Sequence, residues 1–462
     1  MESKFYQTVL KIALPVTLQS LFQSSFSVVD QAMIGQLGSE SIAGIGLGGK
    51  FSSLYSVVLS AIAAAAGIMI AQYLGAEKIE SVRRSFQRNL LLSLGLAGIF
   101  TGICLLFPKM IMELYTKDPG TGKLAAEYLR LFALCFFPMA LNSMVSTLLR
   151  CMEAASLPMY TGVLALGLNT VLNYLLIFGK GIFPALGVRG AALASVASQI
   201  VSCAVLLVLF AGFLRRTALW HGKQTVLDVS ENPELPETGS SDKKAGENAD
   251  GLRFGAVLGP ILICEFLWSL GENVYAAVYG NMGTDACAAM TMTIPVQTLF
   301  IGVLSGLSQA AGILIGKSLG AGSYDRAYNE SKKLIWYGFC GSIVLSILLV
   351  LTAPLYTGIY QVDPAVRMMT GKLLMVYALI APVKVQNMIL GGGIVRSGGK
   401  TSYIMWVDFI GTWLVGVPLA LLSAFVWKLS IPGVYLMLSL EECVRLAITV
   451  VIFRTRKWMS RI

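Results

Sequence analysis

Four polar residues near the start of the chain, Gln19, Gln23, Ser27 and Asp30, recur every three or four positions in an otherwise apolar run. On an α-helix that spacing places them on one stripe. A carboxylate in such apolar surroundings is a natural proton carrier. As an oxygen donor it is equally suited to ligating a hard cation such as Na+. The plainer reading of Asp30 is a cap where the helix meets the membrane surface. Asn169 and Asn173 stand four apart on another apolar run. Their carboxamides fit the same cation chemistry or, as plainly, hydrogen-bonded glue between helices. Ser195, within GAALAS, is a weaker member of this cation-coupling set, because small residues also serve close helix packing.

The second half offers a different mixture. Glu265 and Glu272 are seven apart, hence on one helical face, with Trp268 beside them. Gln309, Lys384, Asn387 and Asp408 lie on later apolar runs. Ionisable groups inside membrane spans are costly and mark function by default. These residues, with Gln19 and Gln23, are therefore candidates to line a substrate cavity. The alternative is an internal ion pair, for example Lys384 with Glu265. Glu441, Glu442 and Arg445 read as a structural ion cluster, and Met290 and Met292 as lining of an adaptable apolar pocket or as packing.

The elements that must position these groups are membrane helices. Hydrophobic residues make up 56% of the 462 and charged residues 13%, against roughly 25% charged in ordinary soluble domains. Apolar runs of about 20 residues, enough to cross a bilayer, recur at 10–34, 45–73, 89–112, 127–149, 157–178, 190–213, 254–280, 288–316, 334–357, 368–392, 402–427 and 432–453. The expected fold is an all-α integral membrane protein of twelve transmembrane helices. The first run is broken by Pro15, Gln19 and Gln23 and lacks a small-residue cleavage site, so it reads as a mature helix and not a signal peptide. Basic residues concentrate in alternate loops, among them Arg83, Arg84, Arg88, Arg150, Arg215, Arg216, Lys317, Lys332, Lys333, Arg396, Arg454 and Arg456. That bias places both termini on the cytoplasmic side of a plasma (inner) membrane, and it accounts for the net charge of +10 without nucleic acid as a partner. The eight Cys show no CxxC, and the single His, His221, sits in a polar stretch, so no metal site is expected. There is no GxxxxGK[ST] and no GxSxG. The reading is of a non-enzyme without cofactor whose energy comes from an ion gradient or from the substrate's own gradient.

The chain also repeats itself. Residues 15–76 fall on residues 260–321 without a gap. Pro15 meets Pro260, Gly35 and Gly38 meet Gly280 and Gly283, and Ala65-Ala66-Gly67-Ile68 meets Ala310-Ala311-Gly312-Ile313. Arg150 and Arg396 each follow a fourth span of their half. Two six-span lobes in the same orientation are implied, residues 1–213 and 253–462. A polar, Gly/Pro/Ser-containing flexible linker is expected at 214–252. Parallel repeats are a transporter architecture with the ligand site at the repeat interface.

The segments LPVTLQSLFQSSFSVVDQAMIGQLG, GLNTVLNYLLIFG, GVRGAALASVASQ, GPILICEFLWSLG and AAGILIGKSLGAG, set in this twelve-span repeat, resemble the multidrug and toxic compound extrusion (MATE) transporters over nearly the whole chain. The resemblance implies two lobes around a central cleft and export of cationic or amphipathic small molecules in exchange for H+ or Na+. It implies that Asp30 is the coupling acid, Pro15 the helix-kink proline, Gln23 a cavity residue, and Asn169 part of the N-terminal lobe site. Asn173 stands where many members carry Asp, which leaves Asp30 as the single carboxylate there. Membrane lipid and the small-molecule substrate are the expected partners, and a monomer the expected state. A flippase for a lipid-linked precursor is the competing transporter reading; a membrane glycan polymerase is disfavoured by the short outside loops.

Overall fold

In a computed structural model, residues 2–34, 37, 39–116, 118–180, 183–216, 240–358 and 363–460 are described. His221 lies outside them. The first lobe comprises α1 (Glu2–Ile34), α2 (Ser39–Gly75), α3 (Ile79–Leu106), the short α4 (Pro108–Glu113), α5 (Pro119–Phe132), α6 (Phe136–Cys151), α7 (Ser156–Phe178) and α8 (Val188–Arg216). The second comprises α9 (Ser240–Asn281), α10 (Thr284–Gly320), α11 (Tyr324–Gly358), α12 (Pro364–Gln386), α13 (Ser402–Phe409), α14 (Val417–Leu421) and α15 (Ile431–Thr455). Because α5–α6 and α13–α14 each form one near-continuous rod, the described residues make twelve long rods besides the six-residue α4. Ten are long and apolar enough to cross a membrane. The other two are α1, with its Gln/Ser stripe, and α15, which carries Glu441, Glu442 and Arg445. A helix is the natural element here, since an open strand would leave its N–H and C=O groups unpaired in hydrocarbon.

Boundaries differ from the sequence expectation where prolines and caps intervene. The third span ends at Leu106 and restarts at Pro108 as α4, because proline cannot continue the preceding hydrogen-bond ladder. The fourth begins earlier, at Pro119, where Asp118 accepts a hydrogen bond from the Thr121 N–H at 3.0 Å; the Thr121 side chain, and after it this backbone N–H, hold the exposed Asp118 carboxyl below the usual carboxylate range. Within the stretch expected to be linker, α9 already begins at Ser240, where Ser-Ser-Asp precedes a run of Lys, Ala and Glu. Residues 217–239 of that stretch lie outside the described ones.

The repeat is visible in the backbone. Asp118-Pro119 and Asp363-Pro364 start corresponding helices, each with an Asp cap that accepts a first-turn N–H, from Thr121 and Ala365 respectively. Ser156 and Ser402 start the next corresponding pair. Between these landmarks the second half carries one more residue than the first. An extra residue in an α-helix rotates everything beyond it by about 100°. The second half absorbs it by widening residues Asn387–Val395 into π-helical turns, whereas the first half tightens Ala133–Cys135 into a 3-10 turn. Arg396 therefore returns to the place that Arg150 holds in its own lobe.

The lobes meet along α1 and α10 and along α2 with α9 and α10. Thr17 Oγ1 donates to the Val303 carbonyl at 2.9 Å, and Ser20 Oγ lies 3.1 Å from Ser305 Oγ. At one end of the bundle, the base, α2 and α10 cross backbone to backbone. A Cβ on Gly75 would fall on the Lys317 carbonyl, and one on its repeat mate Gly320 would fall on the Gln72 carbonyl. The same two positions tie the lobes together: Gln72 Nε2 donates to Ser397 O at 2.8 Å and to Ser460 O at 3.3 Å, while its repeat mate Lys317 donates to Glu153 Oε1 at 2.7 Å. Glu153 is held in the left-handed region, φ 63°, where the repeat has Gly399 at φ 78°. A non-glycine residue kept there signals that its side chain is needed at that spot. Gly320→Val is expected to cost about 1–3 kcal/mol by overpacking and to part the base. The check is site-resolved thiol labelling of Cys151, buried beneath the crossing, which should rise in the variant.

Candidate functional site

Two groups of cavities hold the candidate residues. One, about 660 Å³, lies between the lobes and is lined by Gln19 and Gln23 of α1, Arg150 of α6, Gln309 of α10 and Arg396. Arg150 Nη1 and Nη2 donate to Gln309 Oε1 and Gln19 Oε1, each at 3.2 Å. The glutamine stripe thus faces the cleft and holds a guanidinium. Arg150 and Arg396, read from the sequence as loop charges, sit at the ends of membrane rods and face this cleft. Their matched positions in the two halves served in the sequence only as a mark of the repeat and not as a pointer to the site.

The second group lies inside the C-terminal lobe. One cavity, about 430 Å³, is lined by Glu265, Trp268, Glu272, Lys384, Asn387 and Asp408 together with Arg396, Glu441, Glu442 and Arg445. An adjoining one, about 220 Å³, adds Tyr275, Tyr279, Met290 and Tyr435, and shares Glu272, Lys384, Glu441 and Glu442. Met292 is buried instead, accepting a hydrogen bond from Tyr356 at its carbonyl. The substrate-cavity candidates therefore divide: Gln19, Gln23 and Gln309 face the inter-lobe cleft, and the six from Glu265 to Asp408 face the lobe interior.

The ion pairs follow a different pattern from the Lys384–Glu265 pair considered from sequence. Lys384 Nζ lies 3.8 Å from Glu442 Oε1, and Glu265 Oε1 lies 3.8 Å from Arg396 Nη2. Asn387 Nδ2 bonds both Glu442 Oε2 and the Glu442 carbonyl at 2.8 Å. Arg445 bridges Glu441 at 3.5 Å and Asp408 at 3.8 Å, and donates to Thr412 Oγ1. Tyr275 OH donates to Glu441 Oε2 at 2.5 Å, and Cys264 Sγ to Asp408 Oδ2 at 2.7 Å. Glu272 stands at the junction of the two cavities, within electrostatic reach of Lys384, Glu442 and Arg445. Glu272, Tyr275 and Tyr279 share a face at helical spacing, so the tyrosines were accessible to the same periodicity argument that found Glu272.

In the N-terminal lobe, Asn173 Nδ2 donates to Asn169 Oδ1 at 3.2 Å, Asn169 Nδ2 to Ser195 Oγ at 3.3 Å, and Ser195 Oγ to the Ala191 carbonyl. These three form one hydrogen-bonded face between α7 and α8. Asp30 lies on α1, which packs on α7; its side chain is outside the described ones. Pro15 sits inside α1, where it removes one N–H from the ladder. No group of His, Cys, Asp and Glu suited to hold a metal ion occurs among the described residues.

Two six-helix lobes related by a parallel repeat, with polar cavities between and inside them, define a membrane carrier. The MatE family model matches residues 15–175 and again 260–422, beginning at the same two residues, 15 and 260, from which the halves superpose within the sequence. The chain belongs to this family, the multidrug and toxic compound extrusion transporters, and is a multi-pass membrane transporter and not an enzyme. A probable multidrug resistance protein NorM of Thermotoga maritima is 25% identical over 461 residues, covering 98% of this chain and 93% of that protein. Another probable NorM, from Rhizobium meliloti, is 26% identical over 93% of this chain and 88% of its own length. Among solved structures, a variant of the Vibrio cholerae MATE transporter VcmN superposes with a TM-score of 0.84 at 15% identity, covering 98% of this chain and 97% of that one. An outward-facing MATE family multidrug resistance transporter gives 0.82 at 19% identity, covering 97% and 95%. These likenesses carry the fold.

Removing one partner of a buried ion pair leaves an uncompensated charge, while removing both does not. Because Lys384 is 34% exposed to its cavity, Lys384→Met is expected to cost about 1–3 kcal/mol. The double variant Lys384→Met/Glu442→Gln should recover most of that loss. Thermal unfolding of the wild type, Lys384→Met, Glu442→Gln and the double variant in detergent provides the check, and additive losses would show that the pair is not coupled.

Proposed function

We propose that the protein is a secondary active multidrug exporter that moves cationic or amphipathic small molecules outward in exchange for H+ or Na+. It would sit as a monomer in the plasma (inner) membrane with the base on the cytoplasmic side. The orientation rests on the basic residues gathered at the base-side segments, such as Arg83, Arg84, Arg215, Arg216, Lys332 and Lys333. The bonds of Gln72 and Lys317 across the lobes at the base support a reading in which the cleft is closed on that side.

The observation that carries this reading is the carboxylate-bearing cavity enclosed by one lobe of a repeat-built carrier. Glu272, Glu441 and Glu442 against Lys384 and Arg445 give a site that attracts cationic groups, with Trp268 and the tyrosines offering aromatic faces to an organic cation. Coupling is assigned to Asp30 with Asn169, Asn173 and Ser195. Binding of the coupling ion there stabilises one arrangement of α1 over the other, and only an ion with different affinity for the two states can drive the cycle. Because α1 packs on α10 of the opposite lobe, a change in α1 is felt at the inter-lobe seam.

The test is flux in proteoliposomes. Uptake of a fluorescent lipophilic cation should follow either an imposed pH gradient or an imposed Na+ gradient, and should disappear in Asp30→Asn while expression is retained. Wild-type-like flux in that variant would remove Asp30 from the coupling role. Flux following neither gradient, with folded protein, would overturn the antiporter reading.

A further inference from the structure

The two repeat-related arginines of the cleft are not electrically equivalent. Laying residues 15–76 on 260–321 puts Gln19 on Cys264 and Ser20 on Glu265. The side chains reproduce that correspondence: Arg150 Nη2 bonds Gln19 at 3.2 Å, and Arg396 Nη2 reaches Cys264 Sγ at 3.9 Å. The next position separates them. Arg396 has the Glu265 carboxylate at 3.8 Å. At the repeat-equivalent position of the first lobe stands Ser20, an uncharged residue whose hydroxyl is engaged with the Val16 carbonyl and Ser305.

Arg150 is therefore a cation held by two neutral amide oxygens, one from each lobe, and its Nε has no hydrogen-bond partner. Among the described residues, no carboxylate lines the 660 Å³ cavity. A guanidinium carries five N–H donors in a planar fork that matches a carboxylate or phosphate. Charge in such a site is costly without a counter-charge, and the space in front of it is large enough for an organic molecule.

We infer that Arg150, framed by Gln19 and Gln309, is a binding site for an acidic group, a carboxylate or phosphate, at the base of the cleft. The inference rests on the exporter reading for what the anion is: part of the cargo. It extends the cargo class to compounds bearing an acidic group, in addition to the cations drawn by the C-terminal lobe. Since Gln19 and Gln309 belong to opposite lobes, a bound anion touches both.

The experiment uses the full-length protein in phosphatidylcholine nanodiscs. Binding of carboxyfluorescein is followed by anisotropy, with the cationic dye rhodamine 6G as its counterpart. Wild type should bind carboxyfluorescein saturably. Arg150→Gln and Ser20→Asp should each weaken that binding by about tenfold or more, and Arg150→Lys should keep part of it. Binding of rhodamine 6G should be unchanged. Ser20→Asp keeps the arginine and supplies the counter-charge that Glu265 gives Arg396, so it tests the site even where Arg150→Gln does not fold. Phosphatidylglycerol added to the discs displaces the dye where a lipid headgroup phosphate is the occupant and leaves it bound where a soluble anion is; both results uphold the site. Absence of saturable dye binding by wild type, or equal binding by wild type, Arg150→Gln and Ser20→Asp, overturns it. No ion gradient is present in this assay, so its failure and the failure of the exporter reading are read separately.

Discussion

A charged side chain within a bilayer must find an opposite charge, a dipole or water, because hydrocarbon provides none of these. In this protein α15 carries Glu441, Glu442 and Arg445 within four residues of one another near its middle, and no rotation of α15 that exposed them to lipid would be stable. The helix is turned inward, with residues such as Leu440 and Val451 left on the outside. Its neighbours supply what those charges need: Tyr275 from α9, Lys384 and the adjoining Asn387 from the α12 rod, and Asp408 and Thr412 from the α13 rod. The orientation of four rods in the C-terminal lobe thus depends on one ion network. The N-terminal lobe meets the same constraint with amides and hydroxyls, as in Asn169, Asn173 and Ser195. The two lobes share a backbone plan and differ in how they hold charge.

That difference grew on a duplicated frame whose symmetry is kept where backbones touch and broken where side chains reach across. Gly75 and Gly320 preserve the crossing of α2 and α10, since a Cβ at either would strike a main-chain carbonyl. One turn earlier, the equivalent positions have diverged into an amide, Gln72, and an amine, Lys317, yet both still tie one lobe to the other. The widened turns Asn387–Val395 serve the same end by a different route. They bring Ser308 Oγ within 2.7 Å of the Met388 carbonyl and keep Arg396 in phase with Arg150 despite the additional residue.

Much of this was legible in the sequence. Run length and charge fixed the rods, because bilayer thickness and desolvation act on single helices and leave marks in each. The repeat was legible because glycines and prolines in register reflect backbone contact, which tolerates little change. The cavity faces of Gln19, Glu272 and Lys384 followed from helical period and the cost of lipid exposure. The partners did not follow. Which acid meets Lys384 depends on the rotation and depth of α12 against α15, and an interaction between residues 384 and 442 leaves no local pattern. Arg150, Arg396 and Lys317 were misread for a related reason: a basic residue at the end of a span looks the same whether it faces water outside the bundle or a water-filled cleft within it. The start of α9 at Ser240 was hidden because a polar helix emerging from a membrane has the composition of a linker.

The seam between α1 and α10 has a consequence for how the protein is made. Thr17 and Val303 are 286 residues apart in the chain, and α1 packs more extensively along α10 than along any helix of its own lobe. At translation rates of about 5–20 residues per second, the first helix waits roughly 15–60 s for its main partner to leave the ribosome. During that interval Gln19, Gln23 and the serines of α1 have only their own lobe, the insertion machinery or the lipid surface to bond with. The helix whose stripe later lines the transport path is thus the one with the longest exposure during biogenesis. Substitutions along that stripe act on two events widely separated in time, insertion first and transport afterwards.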